Sequence, residues 1–367
     1  MLMKVKKKTK KIIVSILIVG ALVFYCAYNF KEQKLQLGKV IAPSSSGNVK
    51  QTLANLDTVK GFSNPIIHLV YTYYLKRKYH NRFVKNELEN VSSNKVLNSI
   101  SNIYKDYWKI KLLKKSNILQ ADSLLQRNLH SYFKRKNLTQ LSFKEYSTDE
   151  LMKIIEYQGA KAELFYLNEI YGITIWDEET VKNYRIELPK DTIQVDVTII
   201  ENYILRDWNN FATVGDSQTG GWVNSHTGKI YCNEGQYNFS SEGFLISYLK
   251  HEGLHFVDLK KYTNLSAADL EYRSKLVELS SLNKELFNRL EEFILFSNSA
   301  NRNFSHPYAN YSIIKNLSKI LFNSDFENNI NKWKEISVEK INATSLKLLK
   351  ESDAFLDKNP EVNKILD

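Results

Sequence analysis

His251-Glu-Gly-Leu-His255 constrains this chain more than any other segment, because its two histidines converge only if the peptide is helical. One helical turn then separates His251 from His255 and puts both imidazoles on one face. Leu245, Ile246, Tyr248, Leu249, Leu254, Phe256 and Leu259 recur at helical spacing on either side. Ser240 or Ser241 is placed to cap the start, with Glu242 in the first turn. Gly253 is out of character, since glycine in a helix interior costs about 1 kcal/mol against alanine. A local rule broken inside a patterned helix points to a functional requirement.

Two neutral imidazoles at this spacing suit zinc, and Glu252 beside them is placed to take a proton from a water that the metal activates. The residues thus predict a zinc-dependent hydrolase cleaving peptide bonds. A zinc hydrolase for another bond, or a non-enzymatic envelope binding or scaffold protein with a structural or decayed metal site, are the alternatives; an intact Glu252 argues against decay. Catalytic zinc usually keeps three protein ligands and one water. A histidine six places after His255 would complete one common pattern, but that position is Lys261. Asp258 lies on the same helix and reads as a residue supporting the ligands from behind. A helix from Ser266, opened by the capping-box-like Ser266-Ala-Ala-Asp269, brings Glu271 back level with His255 and Glu278 near or beyond His251. This spacing leaves Glu271 and Glu278 both open as the third ligand.

His251-Glu-Gly-Leu-His255 followed by Glu271-Tyr-Arg-Ser274 resembles the gluzincin metallopeptidases over about 60 residues, from Gly221 to Glu278. The resemblance implies one zinc held by His251, His255 and Glu271, with Glu252 as general base. It also implies a zincin-like catalytic domain, a small antiparallel sheet over the motif helix and a backing helix. Fifteen residues between His255 and Glu271 make a shorter interval than in the thermolysin-like members. Members of that group place a His or Tyr at the developing oxyanion, for which His306 and Tyr308 are the candidates; a plain His-Pro turn at a helix start is the other reading of that segment.

The remaining chain frames this site. Lysines at 4, 6, 7, 8, 10 and 11 precede an uncharged run from Ile12 to Phe30, just long enough to cross a bilayer. The lysines put the N-terminus in the cytoplasm and the body outside, as in a single-pass protein of a bacterial-type cytoplasmic membrane. Residues 23–27 offer no small-x-small cleavage site, and Tyr25 before Cys26 suits a lipoprotein signal poorly. A signal anchor is therefore expected over 1–31; a cleaved signal peptide, giving a secreted or periplasmic protein, is the alternative. Cys232 is then alone in the body and reads as a small buried residue.

Ala42 to Asn48 reads as a flexible linker within 32–63. Residues 64–175 read as a basic helical region and 176–367 as the zincin-like domain with C-terminal helices. Residues 76–136 carry fifteen Lys/Arg against four acids, while 137–367 carry 25 against 34. The basic stretch suits anionic lipid or wall polymer, or else a plain solvated face; nucleic acid is not expected outside the cytoplasm. A helix from Asp149 is expected to run past Gly159 toward Tyr171. Thr192 to Ile200 alternates as a strand, Tyr203 to Trp208 reads as a second, and a hairpin is expected around Asn224-Ser-His-Thr227, with His226 in its turn. An exposed edge strand there would hold an extended peptide. Helices are expected over Ser266–Phe296, 308–322 and 344–356. The fold class is α+β, mostly helical.

Overall fold

Five residues at strict four-residue spacing, Ile67, Tyr71, Leu75, Tyr79 and Phe83, open the first unit with a geometric problem. An ideal α-helix overshoots such a stripe by about 40° at each step, so the stripe would wind off the core. The chain instead widens into a π-helical stretch, Val70–Leu75, between α-helical Pro65–Leu69 and Lys76–Phe83. The wider turn slows the rotation and keeps all five side chains buried. The computed structural model describes residues 30–87, 91–114, 118–138, 147–217, 219–224 and 228–366. The lysines, Cys26 and nearly all of the apolar run, as well as His226, lie outside the described residues. No helix among the described residues is long and apolar enough to cross a membrane.

The described chain forms two compact units, one reaching Asp177 and including Tyr203–Gln218, the other made of Glu178–Asn202 and Thr219–Asp367. In the first unit, α1 (Phe30–Ser45) and α2 (Val49–Thr58) pack together. They replace the linker expected over 32–63. Asn48 accepts a hydrogen bond from Gln51 N as cap of α2, and the buried Ser44–Thr52 pair at 2.7 Å ties the two helices across the supposed break. α3 is the composite helix Pro65–Phe83 just described. α4 (Lys95–Leu112) is capped by Asn94 and buries Leu97, Ile100, Tyr104 and Trp108; α5 (Ala121–Arg135) packs on it.

α6 (Thr148–Tyr157) stops well short of the expected Tyr171. Gly159 takes a left-handed conformation (φ +77°) after it, and the chain turns into β1 (Lys161–Leu167). β2 (Ile170–Glu187) returns antiparallel, pairing Leu167 with Ile170. The two-residue turn places Asn168 and Glu169 both at positive φ, the geometry that suits a right-twisted hairpin. Glu169 is an unusual occupant, which is why the sequence pattern hides this hairpin.

β3 (Thr192–Leu205) follows a turn in which Leu188 N donates to Asp191 O, and α7 (Trp208–Ala212) then begins where the second strand was expected to end. β4 (Gly221–Val223) and β5 (Ile230–Asn233) form the expected hairpin. The sheet order is β1-β2-β3-β5-β4. It is mixed rather than wholly antiparallel: β5 runs parallel to β3, with Val197 opposite Ile230. A parallel pair needs a long connection, and residues 206–229 provide it.

In the second unit, the short α8 (Glu242–Leu245), capped by Ser241, precedes α9 (Leu249–Lys261), so the expected cap serves a separate turn. α10 (Ala267–Leu279) packs against α9, α12 (Ser305–Phe322) and α14 (Val338–Lys358). The helix expected to reach Phe296 ends at Leu279, and α11 (Leu286–Leu295) starts anew. α13 (Ile330–Trp333) completes the set. From Glu271 to Leu279 every residue of α10 is buried, including Glu271, Arg273, Lys275 and Glu278. Helix α10 is therefore the centre of this unit, and its polar residues must find partners inside it.

Candidate metal centre

Helix α9 lies close to the sheet because of Gly253. A Cβ there would meet Ile186 Cδ1 at 3.1 Å and Cγ2 at 3.2 Å, tighter than ordinary packing. The glycine that breaks the helix rule lets α9 seat against the Ile186 and Ile193 side chains. Leu254 packs with Tyr272, Leu276 and Val277 of α10. These apolar contacts turn His251 and His255 toward Glu271.

The three side chains converge. His251 Nε2 and His255 Nε2 are 3.1 Å apart. Glu271 Oε1 lies 3.3 Å from His255 Nε2, and Oε2 lies 3.5 Å from His251 Nε2. One donor atom from each falls within 4.8 Å of the others. Ligands of a tetrahedral ion with bonds of about 2.0–2.1 Å stand roughly 3.3–3.4 Å apart, so these spacings fit a small divalent cation. Glu271 Oε2 is also a buried oxygen without an aligned hydrogen bond, although His306 Nδ1 stands 3.0 Å from it. The donor set, two imidazoles and a carboxylate, is that of an open three-ligand site.

Glu278 sits behind the histidines. Its Oε1 is 2.5 Å from His251 Nδ1, while its Oε2 is 3.3 Å from Arg289 Nε. An Nδ1–H donated to Glu278 leaves the Nε2 lone pair of His251 facing His255 and Glu271. Burial raises the proton affinity of Glu278, but the His251 hydrogen bond and charge outweigh it and hold the carboxyl below its ordinary range. Burial acts likewise on Glu271, and the charge of His306 and the hydrogen bond of His255 pull it well below that range. Burial would lower His255, yet the hydrogen bond and charge of Glu271 raise it overall. Burial pushes the Glu252 carboxyl up, partly offset by His251 and His255. A half-buried carboxyl poised in this way can exchange protons nearer neutrality than a free one.

The other expected residues fall as follows. His306 is exposed and reaches Glu271 from the first turn of α12. The Tyr308 ring lies under the Arg302 guanidinium, 5.3 Å from ring centre to Cζ. Asp258 is paired with Arg273, at 2.6 Å to Nε and 3.0 Å to Nη2. Sequence reasoning missed Arg289 as the partner of Glu278, since nothing in the sequence links α11 to α10. It also missed the His251–Glu278 bond, although the seven-residue interval from Glu271 to Glu278 held the clue: both lie on one helical face. Cys232 is buried, and burial raises its thiol to about 12, which removes it as a nucleophile.

Compared with known proteins, the chain matches no family model. No curated protein and no solved structure shows significant similarity to it either.

Proposed function

We propose that this protein is a membrane-tethered zinc peptidase of gluzincin type, with one zinc ion on His251, His255 and Glu271. The observation that carries this reading is the convergence of those three donors within 4.8 Å on a helix pair that also presents Glu252. Zinc at this position would supply a Lewis acid and make water nucleophilic near neutral pH. Glu252 takes the proton of the attacking water and passes it to the leaving amine. His251 is held in one tautomer by Glu278, which in turn is held by Arg289. His306, exposed beside Glu271, is placed to donate to the carbonyl oxygen as it gains charge.

The zincin-like arrangement belongs to the same proposal. β4 ends the sheet order, and it packs on α9. An extended peptide could pair with that edge and lie across the metal-binding helix. The apolar run from Ile12 to Phe30, preceded by six lysines, would tether the body outside a bacterial-type cytoplasmic membrane.

The test is zinc content and hydrolysis of a quenched peptide library by the full chain and Glu252→Gln. One zinc per chain is expected in both, with hydrolysis lowered roughly 10²–10⁴-fold in the variant. A zinc-free parent, or a variant that cleaves as fast as the parent, would falsify the assignment.

A further inference from the structure

Among the described residues, helix α3 leaves a face without a partner. Opposite its buried stripe it exposes Ile66, Leu69, Val70, Tyr73 and Tyr74, with Leu69 at 56% and Tyr73 at 70% of full exposure. The π-helical stretch that aligns the buried residues also keeps these five in line over two turns. Large apolar side chains scattered singly are ordinary, but a continuous ridge of them is not.

The ridge runs into a cationic cleft of about 1000 Å³ in the same unit. Tyr73 and Tyr74 line both features. Arg77, Lys78, Arg82, Lys105 and Arg206 line the cleft against one carboxylate, Glu87. Two of the rim cations, Lys78 and Arg206, are held over aromatic rings. Lys78 Nζ donates to Tyr74 Oη at 2.7 Å and lies 4.2 Å from that ring centre, while Arg206 stacks 4.1 Å from the Tyr203 ring centre. Tyrosines between an apolar ridge and a basic rim match the polarity gradient of a bilayer interface.

Chain connectivity adds an independent argument. The uncharged run ends at Phe30, the first residue of α1. One turn later, Gln33 accepts a hydrogen bond from Asn64 N at 2.8 Å and donates to Ser63. Asn64 caps α3, accepting from Ile66 N and Ile67 N. The exposed ridge is thus fastened directly to the end of the segment read above as a membrane anchor.

We propose that this unit seats on an anionic bilayer. Ile66, Leu69, Val70 and Tyr73 enter the interface, and the Arg77–Lys78–Arg206 rim takes the phosphate of an acidic phospholipid. The proposal rests on the membrane tether of the previous section but not on its zinc chemistry.

The experiment uses the full chain in vesicles, carrying Leu69→Cys with Cys26→Ser and Cys232→Ser and labelled there with a nitrobenzoxadiazole fluorophore. In vesicles of phosphatidylcholine with phosphatidylglycerol, the emission should shift to the blue and intensify; in phosphatidylcholine alone it should not. Loss of one basic side chain near a charged membrane weakens association roughly fivefold. Arg77→Gln, Lys78→Gln and Arg206→Gln together should therefore cut the seated population about 100-fold, and lysine at 77 and 206 should restore most of it. Ile66→Ser with Tyr73→Ser should weaken seating even with the rim intact. Circular dichroism melting identifies variants that fail to fold, and each is judged against its folded partner. The proposal is overturned by equal emission in the two kinds of vesicle, by a triple variant that seats like the parent, by displacement with soluble glycerol phosphate, or by a blue shift that depends on protein concentration without lipid. Co-flotation with neutral vesicles tests the tether alone, so failure of the anchor is distinguishable from failure of the seat.

Discussion

Two buried clusters of charge share helices α9 and α10, and they are built to opposite rules. Around Arg273, the guanidinium bonds Asp258 through Nε and Nη2, Asp353 through Nη2 at 2.8 Å, and Ser352 at 2.6 Å. Lys190 adds a second cation 3.4 Å from Asp353. Lys190 also pairs with Asp357 at 3.0 Å, which Lys261 meets in turn, so the cations match the carboxylates, and the guanidinium meets its acceptors with a full fork. Two residues away, Glu271 joins Glu252 and Glu278, with Arg289 as the one permanent cation in contact among the described residues and imidazoles filling the remaining places. That set carries about two negative charges in excess whenever its histidines are neutral and its carboxylates ionised. Buried charge is tolerated only when paired or bound to metal. The Arg273 cluster is complete within the chain, whereas the His251–His255–Glu271 cluster matches what a divalent cation would complete.

The sharpest way to break this contrast is at Arg273. Arg273→Met removes the central cation and leaves Asp258 and Asp353 buried with Lys190 alone, so a loss of about 3–5 kcal/mol is expected in urea denaturation of the full chain. Zinc content of the protein that remains folded should be unchanged. A loss below about 1 kcal/mol would mean that water reaches the two carboxylates and that the cluster is not closed.

Glu271→Gln acts on the zinc increment as well. The metal-free variant should lose the share of stability that the lowered Glu271 carboxyl and its pairing with His255 contribute. Zinc at about a thousand times its dissociation constant should stabilise the parent by roughly 4 kcal/mol. The variant should lose most of that increment, read as the zinc-dependent shift of the denaturation midpoint. If Glu278→Gln instead abolishes the increment while Glu271→Gln keeps it, the two carboxylates exchange roles.

The same contrast decides what was legible beforehand. His251, Glu252 and His255 could be read because one short helix fixes their spacing, whatever the rest of the fold does. Glu271 needed a second helix: the turn after Lys261 left it open beside Glu278, and only the resemblance to gluzincins singled it out. The capping residues Asn48, Asn94 and Ser241 were visible as residue types, but which helix each one caps depends on where the chain stops being helical. The β1–β2 hairpin was hidden because Glu169 occupies a positive-φ position usually given to glycine or asparagine. The linker reading failed because Ser44 and Thr52, polar in sequence, bond each other in the core. Helix α10 presents almost no amphipathic pattern, since its buried faces carry Glu271, Arg273, Lys275 and Glu278. Long-range pairing of charge, as between Arg273 and Asp353, has no local signature in the sequence.

Proton competition gives the finest test, because only one of the two clusters titrates near neutrality. Burial lowers the proton affinity of Arg273, but Asp258 and Asp353 raise it overall, so the guanidinium keeps its charge at every working pH. His255 is raised above its ordinary value by Glu271 despite burial. A group raised on folding stabilises the metal-free protein fully below its unfolded value of about 6.5, and that share is lost as pH rises through the folded value. Glu271 and Glu278 are lowered on folding, so their share is present above about 4.3 and lost as pH falls through their folded values. The metal-free protein thus holds both contributions between about pH 4.3 and 6.5 and sheds that of His255 above. Zinc must displace the His255 proton, so its stabilising increment should be small near about pH 5.5 and grow by up to about 1.4 kcal/mol per pH unit for each proton released. The growth should level off once His255 is neutral. Urea denaturation with and without zinc across that range gives the curve, and in Arg273→Lys its shape should be preserved. An increment independent of pH would remove His255 from the ligand set and leave Glu271 paired to a histidine that never gives up its proton to a metal.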